Sequence, residues 1–323
     1  MSARTEQLVL GIREITAGDI RTAGGKGAGL GAMTAAGLPV PDGFVVLASC
    51  YDRFMDENGL RERIAARLQS LDGGDVAGLQ KASATITEWI LGEPLPRGVS
   101  RLVLDRFDSL AVPLVAVRSS ADAEDGTDAA WAGQLETFLG TSRDDLLSNV
   151  RRCWASLFSP RALSYRLREG RAAQEISVAV VVQEMVDSEV AGVAFSVHPV
   201  TEDPDQMIIE AAFGLGEAVV SGIVTPDDYI VRKSDRQVLE SDVRQQERAL
   251  YLDRSGGSSW RSLAQDLSGR AKLTHGQVLE LAELVVQIEA HSGRPCDIEW
   301  AMRENHWYIL QCRPITTLKK AVL

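Results

Sequence analysis

The clearest periodicity in the chain lies near its end, where residues 296–316 read CDIEWAMRENHWYILQCRPIT. Hydrophobic and polar positions alternate on either side of Glu304-Asn305, which predicts a β-hairpin. Side chains repeat every two residues along a strand, so Ile298, Trp300 and Met302 share one face and Asp297 and Glu299 the other. The same rule puts Trp307, Ile309, Gln311 and Arg313 together on the return strand. A three-residue loop, Glu304 to His306, sets a register with Glu299 opposite Gln311 and Asp297 opposite Arg313.

Apolar runs bounded by turn residues predict further strands at 44–47, 112–117, 176–185, 191–197, 206–213 and 229–233. The run 112–117 delivers Arg118-Ser119-Ser120 at its end. Residues 51–108 read as helices with breaks at Asp72-Gly73-Gly74 and Pro94. Residues 146–168 form another helical stretch, with a core stripe of Trp154, Leu157 and Phe158. Thr274 and Gln277 form a capping box that opens a helix bearing Val278, Leu281, Val285 and Ile288. The polar stretch 236–272 reads as loop-rich. Interleaved helices and strands make the class α+β, and 323 residues allow two domains.

Composition narrows the function. The net charge of −11 argues against non-specific nucleic-acid binding and against an anionic membrane surface. The start MSARTEQLVLG lacks a signal-peptide pattern, no apolar run reaches membrane-spanning length, and the four cysteines form no CxxC pair. These features predict a cytoplasmic protein with reduced thiols. Cys296 and Cys312 are placed to face each other across the hairpin, with two buried thiols as the plainer reading.

Three stretches carry candidate chemistry. Gly24-Gly25-Lys26 precedes a small-residue helix, so an ammonium and free backbone N–H groups meet where a phosphate can approach. It is not the GxxxxGK[ST] loop, because no Ser or Thr follows the lysine. Residues 121–138, rich in small side chains and holding Gly126, Trp131 and Gly133, suit a flap beside Arg118. Gln183-Glu184-Met185-Val186 suits a connector whose backbone reads a base edge. In the hairpin, two carboxylates, an amide and a guanidinium suit Mg²⁺ and phosphate. Read from these residues alone, a cross-strand ion pair on a solvated sheet face is the favoured account.

Six blocks then resemble one family, in order: GGKGAGLGAM with GLPVPDGFVV, VRSSADAEDGTDAAWAGQLETFL, CWASLFSPRALSYR, VVVQEMVDSEVAGVAFSVHP, AAFGLGEAVVSGIVTPDDY, and DIEWAM with WYILQCRPIT. The family is that of the pyruvate phosphate dikinase and phosphoenolpyruvate synthase nucleotide domain, found also in rifampicin phosphotransferases. The resemblance implies an ATP-grasp fold, with lobes at 1–186 and 187–323 and ATP bound between them. It implies that Lys26 and Arg118 hold the polyphosphate, that Gly133 and Thr137 belong to a phosphate-covering loop, and that Gln183, Glu184 and Met185 meet the adenosine. Asp297, Glu299 and Gln311 match Mg²⁺-coordinating and catalytic positions, and Arg313 a phosphate-binding arginine.

The activity the resemblance implies is cleavage of Mg·ATP to AMP, with the β-phosphoryl group passed to a histidine and onward to a small molecule. His198, His275, His291 and His306 stand in no Thr-Ser-His-like motif, so the acceptor histidine is expected on a separate swivelling domain or protein. The segment 243–246 lacks a lysine the resemblance leads one to expect. An excised domain of a synthase or rifampicin phosphotransferase is a second reading. A non-catalytic ATP-binding regulatory module is a third, and it should have lost some of Lys26, Arg118, Glu299, Gln311 and Arg313, all of which are present. A ligase of the ATP-grasp type would release ADP.

Overall fold

The computed structural model describes residues 7–69, 71–121, 136–168 and 177–318. Gly133 and most of the glycine-rich flap therefore lie outside the described residues. The chain divides into two compact units, one of residues 1–31 and 42–184, the other of residues 32–41 and 185–323. The short segment 32–41 clusters with the second unit, where a single cut near residue 186 would have left it in the first.

In the first unit the strands are β1 (Val9–Gly11), β2 (Gly43–Val46), β3 (Val115–Ala121), β4 (Thr137–Thr141) and β5 (Val178–Glu184). They form an antiparallel sheet in the order β1-β2-β5-β3-β4. β5 and β3 are interior strands, which is why each opens on an apolar run, Val178–Val182 in β5 and Val115–Val117 in β3. The helices are α1 (Ile20–Ala35, of which residues 32–35 cluster with the second unit), α2 (Ala48–Glu57), α3 (Leu60–Leu68), α4 (Val76–Gly92), α5 (Arg97–Leu110), α6 (Arg143–Ser156) and α7 (Pro160–Arg168). α4 is capped by Asp75, which accepts from Gly78 N, and buries Leu79, Ala82, Ile86 and Ile90 at helical spacing. Trp154 anchors the core, with its ring 5.8 Å from that of Tyr51 and 5.1 Å from that of Phe54.

The expected strand 112–117 begins later and runs on through Arg118, Ser119 and Ser120. Polar residues persist there because each finds a partner. Ser119 Oγ donates to Glu136 O and Ser120 Oγ donates to Ala23 O, at 3.2 and 2.8 Å.

The second unit holds β6 (Val190–Phe195), β7 (Gln206–Phe213), β8 (Asp227–Arg232), β9 (Gln237–Asp242), β10 (Arg248–Leu252), β11 (Ser258–Ser262), β12 (Cys296–Arg303) and β13 (His306–Pro314). Six of these make an antiparallel sheet ordered β13-β12-β6-β7-β8-β9, and β10 and β11 form a separate ribbon. Its helices are α8 (Glu217–Val220), α9 (Gln265–Ser268) and α10 (His275–Ser292). α10 begins at the Thr274–Gln277 capping box and buries Val278, Leu281, Val285 and Ile288. It packs on the sheet face of Ile298, Trp300 and Met302, leaving the other face for Asp297 and Glu299.

Residues 236–272, expected to be loop-rich, contain β9, β10, β11 and α9. β9 is an edge strand whose side chains are mostly exposed, so it shows little hydrophobic alternation. A buried ion pair ties this region down. Lys272 Nζ lies 2.7 Å from Asp227 Oδ1, with both side chains fully buried. Asp227 also accepts from Arg244 N, Lys272 N and the Tyr229 hydroxyl, so its lone pairs are well used. Among the described residues, no helix is long and apolar enough to cross a membrane.

Candidate active site

In the first unit the candidate cations are assembled by a break in α1. Gly24, at φ +71° and ψ 171°, splits the helix, so Lys26 stands in the opening turn of its second half. A Cβ at Gly24 would lie 2.2 Å from Ser120 O, and this close approach seats the helix start on β3. Lys26 Nζ then donates to Ser119 O at 2.9 Å, and Gly27 N donates to Ser120 Oγ at 3.1 Å. Arg118, buried one residue earlier on β3, is paired in register with Thr137 of β4. Lys26, Arg118 and Thr137 are thus carried by adjoining segments of one unit. Gln183 is buried in β5, opposite Gly43 and Ala116, and Glu184 N donates to Asp42 O at 2.8 Å.

In the second unit the hairpin brings its four candidates together. Glu299 is opposite Gln311 and Asp297 is opposite Arg313. The expected register holds at these pairs, though its origin differs. The turn has two residues, Glu304 and Asn305, with φ of 51° and 60°. The extra residue is Leu310, bulged where Glu299 pairs with Gln311 and Trp300 with Ile309. The bulge also corrects the expected faces of β13. Ile309 and Trp307 lie with Trp300 and Met302 on the α10 side, while Gln311 and Arg313 lie with Glu299 and Asp297. The Trp300 and Trp307 rings meet edge-on at 5.5 Å.

The register extends this row across the sheet. Glu299 pairs with Val193, Val193 with Glu210, and Glu210 with Asp228. Sequence reasoning did not single out Glu210 and Asp228, because only strand pairing places them on this face. Burial, with the nearby Asp228 and Asp297 carboxylates, pushes Glu210 up to about 7. Burial and then Glu299 push Asp297 up to about 6, against the pull of Arg313. Asp228 is raised as well, chiefly by burial. The face is one on which negative charges crowd. Beside it, Val186, Ala191, Ala301, Tyr308 and Leu310 form an apolar patch.

The donor set fits Mg²⁺. Asp297, Glu299 and Gln311 offer oxygens only, and no trio of His, Cys, Asp or Glu side chains forms a metal cage among the described residues. Mg²⁺ is ordinarily held by one or two carboxylates with substrate phosphates and water completing the shell.

An α+β chain with paired carboxylates and an arginine on one sheet face, and a glycine-seated lysine on another, has the parts of a nucleotide-binding domain. The sequence matches the pyruvate phosphate dikinase, AMP/ATP-binding domain family over residues 20–322, and the chain belongs to that family. It is 43% identical over 315 residues to a probable phosphoenolpyruvate synthase of Methanothermobacter thermautotrophicus, covering 95% of this chain and 46% of the relative. A probable phosphoenolpyruvate synthase of Archaeoglobus fulgidus is 41% identical over 97% of this chain and 42% of the relative. The rifampicin phosphotransferase of Bacillus subtilis is 36% identical over 96% and 36%. The chain thus spans less than half the length of these relatives.

Proposed function

We propose that the chain, with an ATP-grasp fold, binds Mg·ATP as the nucleotide-handling part of a phosphotransferase. The reaction consumes ATP to AMP and passes the β-phosphoryl group to a histidine on a separate swivelling domain or protein, for onward transfer to a small molecule. The observation that carries this reading is the hairpin register, which sets Glu299 beside Gln311 and Asp297 beside Arg313 on the face away from α10. Phosphoryl transfer asks for positioning and charge neutralisation more than covalent chemistry, and these side chains provide both.

Asp297, Glu299 and Gln311 would hold Mg²⁺, which supplies charge neutralisation at the phosphate oxygens when bound. Arg313 offers a planar fork suited to a phosphate. Lys26 and Arg118 add cations to the polyphosphate, with Thr137 and Gly133 covering it. Gln183, Glu184 and Met185 meet the adenosine, whose apolar ring faces suit the Val186–Tyr308–Leu310 patch. The crowded carboxylates favour a bound cation, because each charge it neutralises relieves the repulsion that raises Asp297 and Glu210.

The test is a mass balance on Mg·ATP, with the chain alone and with proteins carrying candidate acceptor histidines. AMP formed only with a partner that gains an acid-labile phosphate supports the proposal. ADP as product would point to a ligase. Binding without turnover under every condition would point to a regulatory module.

A further inference from the structure

The break in α1 interrupts one particular bond of the helix. In a continuous helix each N–H donates to the carbonyl four residues back, so Gly27 N would meet Ala23 O directly. Here a side chain from another element stands between them. Gly27 N donates to Ser120 Oγ at 3.1 Å, and Ser120 Oγ donates to Ala23 O at 2.8 Å. A hydroxyl from β3 is thus inserted into the ladder of α1, and insertion of this kind is a recurrent cause of sharp kinks. Ser120 is fully buried, so bulk water does not reach the gap it fills.

The same hydroxyl serves as a helix cap. Gly24, at φ +71° and ψ 171°, occupies the N-cap position of the second half of α1. An N-cap side chain ordinarily accepts from the second or third N–H beyond it. Gly24 has no such side chain, and a Cβ added there would lie 2.2 Å from Ser120 O. The helix start sits too close to β3 to carry its own cap, so β3 supplies one to Gly27. Gly24 does not itself decide the backbone state, since glycine adopts left-handed conformations about as readily as right-handed ones.

Lys26 lies inside the interrupted turn, between Ala23 and Gly27, and its Nζ donates to Ser119 O at 2.9 Å. The structure assigns Ser120 as the positioning residue of this site, whose inserted hydroxyl holds α1 broken and so keeps the Lys26 ammonium at β3 for a polyphosphate. The polyphosphate half of this inference rests on the function proposed above, and the inserted hydroxyl does not. Ser120 acts through Lys26 and not on the ligand. Without the hydroxyl, Ala23 O and Gly27 N can pair with each other, so an alanine variant keeps these backbone groups satisfied. The turn then closes, and Lys26 turns with it away from Ser119.

The experiment is a double-mutant cycle on the full chain, with Mg·ATP affinity measured by calorimetry for wild type, Ser120→Ala, Lys26→Ala and the double variant. Ser120→Ala is expected to bind about fivefold more weakly. In the Lys26→Ala background the same change should cost less than about twofold, because the residue it acts through is already gone. A hydroxyl with a merely structural role would cost the same in both backgrounds, and that result would overturn the assignment. So would an unchanged affinity in Ser120→Ala. Ser120→Cys keeps the size with a weaker donor and acceptor. It should fall between the two, and it takes the place of Ser120→Ala in the cycle if the alanine variant does not fold. If wild type itself fails to bind Mg·ATP, the function reading falls instead. The Gly24 carbon chemical shift, which reports backbone conformation, then decides: a move to a helical value on losing the hydroxyl sustains Ser120 as the holder of the break, and an unchanged value refutes it.

Discussion

The two units present their candidate groups in opposite electrostatic states. In the first, Lys26 already has a carbonyl partner in Ser119, and Gly24 seats the whole segment on β3. In the second, Asp297, Glu299, Glu210 and Asp228 share a sheet face, and burial and like charge raise Asp297, Glu210 and Asp228. One unit is settled before any ligand arrives, and the other holds unfavourable charge that a bound cation offsets. The contrast predicts different costs for damage on the two sides.

The largest effect is expected on the acidic face. Glu299→Ala, or Gln311→Ala, should lower turnover by about a hundredfold or more with the circular dichroism spectrum unchanged. A variant that retains full activity would remove these residues from the metal assignment. Next comes the settled side, where Gly24→Ala must place a Cβ 2.2 Å from Ser120 O at φ +71°. Thermal unfolding should report a loss of roughly 2 kcal/mol or more, and a wild-type melting temperature would show that α1 does not depend on this contact. Lys26→Ala should then weaken Mg·ATP binding by about tenfold in calorimetry, since one charged contact is typically worth about that much. Unchanged affinity would take Lys26 out of the site.

The smallest effect is the most direct test of the contrast. Glu210 titrates near 7 in the fold against an ordinary value of 4.5, so the native state holds a proton that the unfolded chain has released. The resulting penalty is absent below about 4.5 and complete above about 7. Glu210→Gln should therefore raise stability at pH 8 by about 1 kcal/mol, allowing for solvent screening, and leave it unchanged at pH 4. Equal stabilisation at both values would mean that charge crowding is not the cause.

Much of this architecture is legible in the sequence, for reasons that vary by element. The α10 capping box and the interior strands announce themselves because helix ends and doubly covered strands leave strong local patterns. β9, β10 and β11 do not, since edge and ribbon strands with exposed side chains carry little apolar alternation. The hairpin is instructive. The expected pairing of Glu299 with Gln311 is present, but the extra residue sits in a bulge at Leu310 and not in the turn. Asn305, like Glu304, adopts the left-handed conformation that a two-residue turn demands, and this was the signal available. Strict alternation then misplaced Trp307 and Ile309, because a bulge inverts every face beyond it. Glu210 and Asp228 stay hidden for a different reason, as their neighbours are set by cross-strand register between segments far apart in the chain.

The Asp227–Lys272 pair carries a consequence for how this chain can vary. With both side chains fully buried, replacing either partner alone strands the other's charge, at about 3–5 kcal/mol. Replacing both by apolar residues of matching volume is often neutral. Two positions 45 residues apart are thereby locked into a single inherited unit, which drift can exchange only as a pair.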